Sequence, residues 1–351
     1  MTDTIGRIHL YTIEEIGAVN WDSFVSSCDG STVYHHSAWH KAIELTYGIK
    51  PLYLLMILKG QISAAMPAAS IKGILSGSRL VSYPFSDVCG PVFKGHEEEN
   101  FLDQIARMQD NPYGSIELRT SVKKPIRGFS AYDNYVNFSL KLTNDTEKLI
   151  ASFHKDCVQR QIKKAFRAGI EAFEGTSIND LRDFYGLHVM TRKRQGAPVQ
   201  PFSFFKNLWN TLSPYGLVFL IMVRKRGRAA SGALCLRFRD TVYYKFGATD
   251  ERYFRDGAGQ LALWSAIKKA SDEGYGVFDF GRTYIGNRGL MDFKTRWGAS
   301  ATPLYYIQSP ERKAVLKDEG AHPARIAGAF LRIIPGFSNR ILGRLFYRYL
   351  A

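Results

Sequence analysis

The sequence predicts a mixed α/β protein built from two copies of one structural unit. An order of elements, namely helix, β-hairpin, helix and strand, occurs twice along the chain. Each copy has a Tyr-Gly pair before its hairpin, at residues 47–48 and 215–216, and ends its last strand on Arg-Thr, at residues 119–120 and 282–283. Self-similarity of this kind indicates an internal duplication.

The first copy is predicted to begin over Ser37–Ile71. This stretch contains an amphipathic helix, the Tyr-Gly pair, an apolar strand, a turn at Lys59-Gly60 and a strand of small residues. A basic residue followed by glycine between two apolar runs is typical of a hairpin. A helix over Phe101–Met108 and a strand over Gly114–Thr120 complete the copy.

The second copy repeats this order over Ser203–Phe238, followed by a helix over Leu261–Gly274 and a strand over Gly276–Thr283. A basic helix over Asp156–Ile170 precedes it, and Gly169 is suited to the C-terminal cap of that helix. We therefore expect three segments, listed here in chain order: a first domain over residues 1–145, a second over 146–310 and a tail over 311–351.

The bulk composition is that of a globular protein with anionic partners. The chain has 351 residues, enough for two domains, and its 45% hydrophobic and 13% aromatic content excludes global disorder. The net charge of +15 favours phosphates, nucleic acid or an anionic membrane face as partners. Four cysteines without a CxxC pair, no signal-peptide pattern and no apolar run of about 20 residues predict a cytoplasmic protein.

A glycine-rich loop is the first candidate site. Gly257 and Gly259 precede a predicted helix, and the free N–H groups at such a helix start bind phosphate. With Asp279 about 20 residues further on, the loop also resembles a dinucleotide fingerprint. A nicotinamide-dependent enzyme is only the third alternative, because the glycines do not directly follow a buried strand. A plain helix-entry turn is the structural alternative.

A basic loop over Phe278–Ser300 is the second candidate site. It places Arg282, Arg288, Lys294 and Arg296 among glycines and aromatic residues. Guanidinium groups such as Arg282 and Arg288 bind phosphate or carboxylate oxygens as forks. The ammonium group of Lys294 suits the oxyanion that forms during acyl transfer. A solvated basic loop is the alternative interpretation.

The chemistry that these residues suit is attack by an amine on an activated acyl carbon. No serine-nucleophile elbow, zinc-protease helix or P-loop is present in the sequence, and no metal site is expected. Asp279 is a candidate to receive the proton of the amine, although a strand-end acid paired with an arginine is an equal alternative. Phe293 and Tyr284 complete the predicted substrate contacts.

The basic loop and the "PLYY" after it resemble the signature of the Fem-type proteins. Three other stretches are similar to these proteins: "YHHSAWHKAIELTYGIKPLYLL", "SYPFSDVCGPVF" and "TRKRQGAPVQPFSFFKNL". With the basic loop, the resemblance extends over most of the range 31–307. The resemblance implies two tandem GNAT-like domains. It also implies transfer of amino acids from aminoacyl-tRNA to a lysine-type amine of a peptidoglycan precursor, and it maps the donor-channel lysine onto Lys294 beside Phe293.

The donor stays open between aminoacyl-tRNA and acyl-CoA, with no tightly bound cofactor. The long helical arm of the staphylococcal-type Fem enzymes has no counterpart, and Gly257-Ala258-Gly259 resembles the pyrophosphate loop of coenzyme A-dependent GNAT enzymes. We therefore expect an N-acyltransferase or aminoacyltransferase that forms an amide on a phosphate-bearing peptidoglycan-type or exopolysaccharide precursor. A non-catalytic binding module for tRNA or an anionic glycan is the alternative.

The C-terminal stretch Pro323–Ala351 predicts a basic amphipathic tail. It holds five arginines and no acid, and Pro335-Gly336 divides it into two short helices. Arginines on one side and apolar residues on the other are typical of a helix on an anionic membrane surface. Peripheral contact with the inner face of the membrane is one interpretation, and packing on the second domain is the other.

Overall fold

The computed structural model describes residues 7–73, 77–108, 114–121, 123 and 125–309, and the chain divides into two compact units. The described part of the first unit runs to Tyr135 and resumes at Pro303, and that of the second is Val136–Thr302. The strand Ser130–Lys141, within the predicted segment 1–145, belongs to the second unit from Val136 onward, and the strand Ser300–Ser309, within the predicted segment 146–310, belongs to the first unit from Pro303 onward. The domain limits of 1–145 and 146–310 stay a prediction. The predicted tail over 311–351 lies outside the described residues.

Within the described residues, the first unit is a seven-stranded sheet with helices. Its strands lie in the order β1-β2-β3-β4-β6-β13, with β5 beside β3. The pairing of β4 with β6 is parallel, and the other pairings within this unit are antiparallel. The elements are β1 Ile8–Tyr11, α1 Ile13–Ile16, α2 Ala18–Ser27, α3 Ser37–Tyr47, β2 Leu52–Leu58, β3 Gln61–Gly73, β4 Gly77–Ser82, β5 Val92–Phe93, α4 Glu98–Arg107, β6 Ser115–Thr120 and, from Pro303 onward, β13 Ser300–Ser309.

The second unit has the same kind of sheet, in the order β7-β12-β11-β10-β9-β8. The pairing of β11 with β12 is parallel, whereas β8, β9, β10 and β11 pair antiparallel in turn. The elements are β7 Ser130–Lys141 from Val136 onward, α5 Thr146–Ala151, a π-helical turn Lys155–Gln159, α6 Arg160–Arg167, β8 Ile170–Glu174, α7 Ile178–Gln195, α8 Phe202–Leu212, β9 Val218–Lys225, β10 Arg228–Phe238, β11 Thr241–Thr249, α9 Ala258–Asp272, β12 Val277–Tyr284 and α10 Arg288–Thr295.

The predicted duplication is confirmed by the strand order of the two units. An antiparallel run of three strands, β2-β3-β4 or β9-β10-β11, is followed in each unit by one parallel strand, β6 or β12. A helix, α4 or α9, leads into that parallel strand. The fold class is therefore the predicted one, a mixed α/β protein with two related units.

The two hairpins share a turn geometry as well as a position. Lys59 and Arg226 both have a φ of 50°, and Gly60 and Gly227 follow with φ of 76° and 75°. Positive φ at both central residues defines the two-residue turn whose twist matches that of the flanking strands. The basic-Gly pairs found in the sequence thus form the same turn in both copies.

The core of the second unit positions the start of α9 and the end of β12. Helix α9 buries an apolar side that includes Leu261, Trp264 and Ile267, and this side joins one cluster with Phe278 of β12 and with Trp297 after α10.

Among the described residues, no helix combines the length and the hydropathy that a membrane span requires.

Three histidines, His35, His40 and His188, are buried within the two units. The His40 ring lies between the Tyr53 hydroxyl, at 2.8 Å, and the Tyr34 carbonyl oxygen, at 2.9 Å. Burial lowers the pKa of His40 to about 3 and that of His35 to about 4. In the second unit, burial and the nearby charge of Arg192 lower the pKa of His188 to about 3.

From the lowered pKa values of these histidines, we predict that the folded protein loses stability in mild acid. The unfolded chain takes up protons as the pH falls below about 6.5, while the folded histidines stay neutral until about pH 4 or lower. We expect the free energy of unfolding in urea to fall over this range, by up to about 1.4 kcal/mol per pH unit for each histidine. His188→Gln should show a shallower slope, and an unchanged slope would contradict the assignment of His188.

Candidate active site

The two glycines of the first candidate site have packing roles at the entry of α9. Gly257 caps the helix with a φ of 78°, and a Cβ atom at this position would overlap the Gln161 carbonyl oxygen of α6. A Cβ atom on Gly259 would lie 3.0 Å from the Thr249 hydroxyl oxygen. The structure thus supports the helix-entry interpretation, and a ligand role for the glycines stays a prediction.

A cavity of about 470 Å³ lies beside this helix entry. It contains three cations and three aromatic rings, and no carboxylate is among its lining residues in the described chain. Cations and aromatic rings in one concave site suit a ligand that is anionic in one part and flat or apolar in another. The lining residues are Cys157, Val158, Gln161, Lys164, Phe254, Arg255, Gln260, Phe293, Arg296 and Trp297.

The start of α9 adds a positive end to the same cavity. Gln260 in the first turn lines the cavity, no acidic residue occupies that turn, and no described side chain caps the helix. The first N–H groups of a helix carry partial positive charge and bind phosphate oxygens. Because this end adds to the charges of Lys164 and Arg255, the site is suited to phosphate.

A π-helical turn over Lys155–Gln159 forms one wall of the cavity through Cys157 and Val158. The turn is fixed by its neighbours: the His154 N–H donates to the Arg296 carbonyl oxygen at 2.9 Å, and the Gln159 amide donates to that of Phe153 at 2.7 Å. Single π-helical turns are frequent at functional sites. Cys157, like the other three cysteines, is a free thiol.

Lys294 is a buried cation held by main-chain oxygens. It lies in the last turn of α10 and is 4% exposed. Its Nζ donates to the Gly281 carbonyl oxygen at 2.6 Å and to that of Arg282 at 3.2 Å, and it lies 5.5 Å from the centre of the Phe138 ring. Carbonyl oxygens and an aromatic face both stabilise the protonated amine.

The predicted site residues divide into two groups in the structure. Phe293 lines the cavity, and the adjacent Lys294 is directed to the end of β12. The carboxylate of Asp279 lies at the same strand end, where Oδ1 accepts from the Gly281 N–H at 2.6 Å and Oδ2 accepts from the Asn137 Nδ2 at 2.8 Å.

The remaining predicted contacts lie apart from the cavity. Arg282 and Tyr284 are half-buried on β12, and Arg288 is exposed at the start of α10. None of the three is among the cavity residues of the described chain. Their roles in substrate binding stay predictions.

Sequence reasoning missed most of the cavity. Lys164 lies in the basic helix that the sequence indicated, and Arg255 and Gln260 flank the glycine loop, so the signal was present but dispersed. Arg296 was recognised only as one cation of the basic loop. Cys157 carried no recognisable signal, because the pattern of the sequence does not indicate a π-helical turn.

Comparison with known proteins identifies the second unit. Residues 152–295 match the family model of the acetyltransferase (GNAT) domain. The chain is 22% identical over 149 residues to UDP-N-acetylmuramoylpentapeptide-lysine N(6)-alanyltransferase of Weissella viridescens. This match covers 42% of the chain and 43%, less than half, of the length of that enzyme.

Solved structures show the same fold over nearly the whole chain. The crystal structure of FemX has a TM-score of 0.69 at 15% identity and covers 85% of this chain and 96% of that one. L-PGS from Bacillus licheniformis has a TM-score of 0.58 at 10% identity, with coverages of 94% and 99%. A tandem GNAT protein from the clavulanic acid biosynthesis pathway has a TM-score of 0.52 at 8% identity, with coverages of 86% and 98%.

The resemblance to the Fem-type GNAT acyltransferases is confirmed. The GNAT domain over residues 152–295 contains the cavity, the start of α9 and Lys294. The two related units correspond to two tandem GNAT-like folds. Residues 152–295 match the GNAT domain family, and the chain has the fold of solved tandem GNAT proteins.

The helix entry predicts a difference between two glycine variants. Gly257→Ala places a Cβ atom against the α6 backbone, whereas Gly169→Ala, at the end of α6, meets open space, and both glycines have positive φ. We expect Gly169→Ala to lose about 1 kcal/mol of unfolding free energy and Gly257→Ala about 1–3 kcal/mol more. Urea denaturation measures both, and equal losses would contradict the close packing at Gly257.

Proposed function

We propose that this protein forms an amide bond by transferring an acyl or aminoacyl group from a phosphate-bearing donor to an amine of a cell-envelope precursor. One observation carries the proposal: the cavity of the second unit joins three cations and the start of α9 to Phe293, the neighbour of Lys294. An acyl donor of either class carries phosphates that such cations can bind.

The reaction needs no covalent intermediate on the protein. The neutral amine of the acceptor attacks the acyl carbon, a C–N bond forms, and the C–O or C–S bond to the donor breaks. The amine loses one proton, and the donor leaves with a hydroxyl or thiol. The buried ammonium group of Lys294 stabilises the oxyanion of the tetrahedral intermediate, which lowers the barrier by about 3 kcal/mol for one such partner.

The surface beside the cavity favours an RNA donor. The outer side of α6 presents Arg160, Lys163, Lys164 and Arg167, and Phe166 among them is 60% exposed. Cations that follow a backbone and an exposed ring that stacks on a base are the features of single-stranded RNA binding. Aminoacyl-tRNA would use this surface, whereas coenzyme A would fill the cavity and leave the rest of α6 unused.

An acyl-CoA donor is the second candidate, supported by the match of residues 152–295 to the acetyltransferase (GNAT) domain. For the acceptor, the Weissella relative is named for transfer to the lysine N6 of UDP-N-acetylmuramoylpentapeptide. We propose an amine of a peptidoglycan-type or exopolysaccharide precursor for this chain. We place the reaction in the cytoplasm, with the predicted tail contacting the inner face of the membrane.

Lys294→Met tests the chemistry. The substitution keeps the approximate length of the side chain and removes its charge, so we expect kcat to fall by about 10²-fold or more. Alanyl-tRNA and lysine-containing UDP-N-acetylmuramoyl-pentapeptide are suitable substrates, with product measured by mass spectrometry. Lys268→Met, which changes a half-exposed lysine of α9, is the matched control.

Near-normal turnover by Lys294→Met would refute the role of this lysine. If the unmodified protein binds alanyl-tRNA without turnover of any acceptor, the alternative of a non-catalytic binding module gains support. Turnover of acetyl-CoA with the same acceptor would instead support the second donor.

Charge reversal on α6 tests the donor. Lys163→Glu/Arg167→Glu should raise the KM for alanyl-tRNA and reduce the slope of log binding constant against log salt by about 2, one for each lost phosphate contact. The matched control is Lys206→Glu/Arg228→Glu, which changes the net charge of the same unit equally at two other exposed positions. An identical effect of the two pairs would exclude α6 as a specific RNA surface.

A further inference from the structure

We infer that Asn137, Asp279 and Gly281 form a hydrogen-bonded chain that positions Lys294. The Asn137 Nδ2 donates to the Asp279 Oδ2 at 2.8 Å, and the Asp279 Oδ1 accepts the Gly281 N–H at 2.6 Å. The Gly281 carbonyl oxygen then accepts the Lys294 Nζ at 2.6 Å. The inference deepens the proposed function and rests on it, because it concerns the orientation of the cation that the reaction uses.

Gly281 can link the carboxylate to the lysine because its backbone departs from the strand conformation. It lies within β12 and has a φ of 73°, a region that residues with a Cβ atom adopt at a cost. A glycine of this kind inside a strand marks a local bulge that redirects the backbone. The Gly281 N–H therefore donates to Asp279, and the Gly281 carbonyl oxygen accepts from Lys294.

In the first copy, the acid at the corresponding position of the parallel strand binds two arginines. Glu117 pairs with Val81 in the parallel ladder of the first unit, as Asp279 pairs with Tyr243 in the second. The Glu117 carboxylate binds two guanidinium groups, those of Arg79 at 3.2 Å and Arg119 at 2.9 Å. The Asp279 carboxylate accepts the N–H of Gly281, whose carbonyl oxygen accepts from Lys294, and this connects the acid with the lysine.

Asn137 is the member of the chain that no sequence pattern indicated. Its Oδ1 is buried and has no hydrogen-bond partner among the described residues, which is costly for an amide. Reversing the amide would direct Oδ1 at the carboxylate, so the contact with Asp279 fixes its orientation. The next residue of β7, Phe138, places its ring 5.5 Å from the Lys294 Nζ. One strand therefore supports both the carboxylate and the lysine.

Asp279 is accordingly a positioning residue in this scheme and not the proton acceptor. The two roles can be distinguished because an asparagine keeps the hydrogen bonds of the aspartate but cannot accept a proton. In Asp279→Asn the new Oδ1 can still accept the Gly281 N–H, and Asn137 can rotate its amide so that Oδ1 accepts from the new Nδ2. Asp279→Ala removes both contacts. A proton acceptor, in contrast, is lost equally in the two variants.

An exchange of the two side chains provides the decisive test. Asn137→Asp alone sets two carboxylates against each other, and the double variant Asn137→Asp/Asp279→Asn restores one donor and one acceptor. With alanyl-tRNA and lysine-containing UDP-N-acetylmuramoyl-pentapeptide, we expect kcat to fall about tenfold or more in Asn137→Asp and in Asp279→Ala, and to recover to within about threefold in the exchange. The KM values should change little. An exchange variant as inactive as Asp279→Ala would overturn the inference in favour of proton transfer.

A measurement without substrate separates this inference from the proposed function. An amine-reactive reagent, trinitrobenzenesulfonate, is applied to the folded protein, and labelling of Lys294 is followed by peptide mass spectrometry with Lys268 as internal reference. Lys294 is 4% exposed and Lys268 is 48% exposed, so Lys294 should be labelled slowly in the unmodified protein and in the exchange variant.

Labelling of Lys294 should be about tenfold faster in Asp279→Ala and Asn137→Asp, the factor expected for loss of one hydrogen bond to a charged group. Unchanged labelling in both variants would overturn the positioning chain whether or not turnover is found. Faster labelling without turnover by any variant would leave the chain standing and count against the proposed function. If Asp279→Ala fails to fold, Asn137→Asp and the exchange variant carry the same comparison.

Discussion

The burial of one positive charge at the end of a strand is the constraint on which the site depends. An ammonium group that is 4% exposed must be compensated, and the carbonyl oxygens of Gly281 and Arg282 do this for Lys294. Gly281 lies within β12 with a φ of 73°, and Lys294 in the last turn of α10 reaches the two oxygens from there. The path of the chain over residues 277–295 is therefore determined by this charge.

The two copies of the unit differ at the start of the helix that leads into the parallel strand. Helix α9 begins with glycine and no acid, beside cations, whereas α4 begins with Glu97, Glu98 and Glu99. An acidic first turn uses the positive end of the helix within the protein and repels phosphate. The two units thus have similar frameworks, of which one has a helix start without acidic residues and the other neutralises its own helix start.

The sequence predicted those features that local residue patterns determine. The hairpin turns follow from φ preferences and were found as expected, whereas the predicted basic loop over Phe278–Ser300 contains helix α10 over Arg288–Thr295. Features that depend on contacts distant in sequence were not predictable. Asn137 meets Asp279 across 142 positions, and the cavity joins α6, the loop before α9 and the end of α10. The sequence pattern of one segment does not indicate which other segment it will contact.

The strand that completes the first unit has a consequence for synthesis of the chain. Strand β13 pairs with β6 from Tyr305 to Ser309, and these residues are made only after the described part of the second unit, Val136–Thr302. During translation one edge of β6 therefore lacks its final partner while more than half of the chain is still being added. An open strand edge can pair with other chains. The nascent protein is thus exposed to aggregation until β13 is made and pairs with β6.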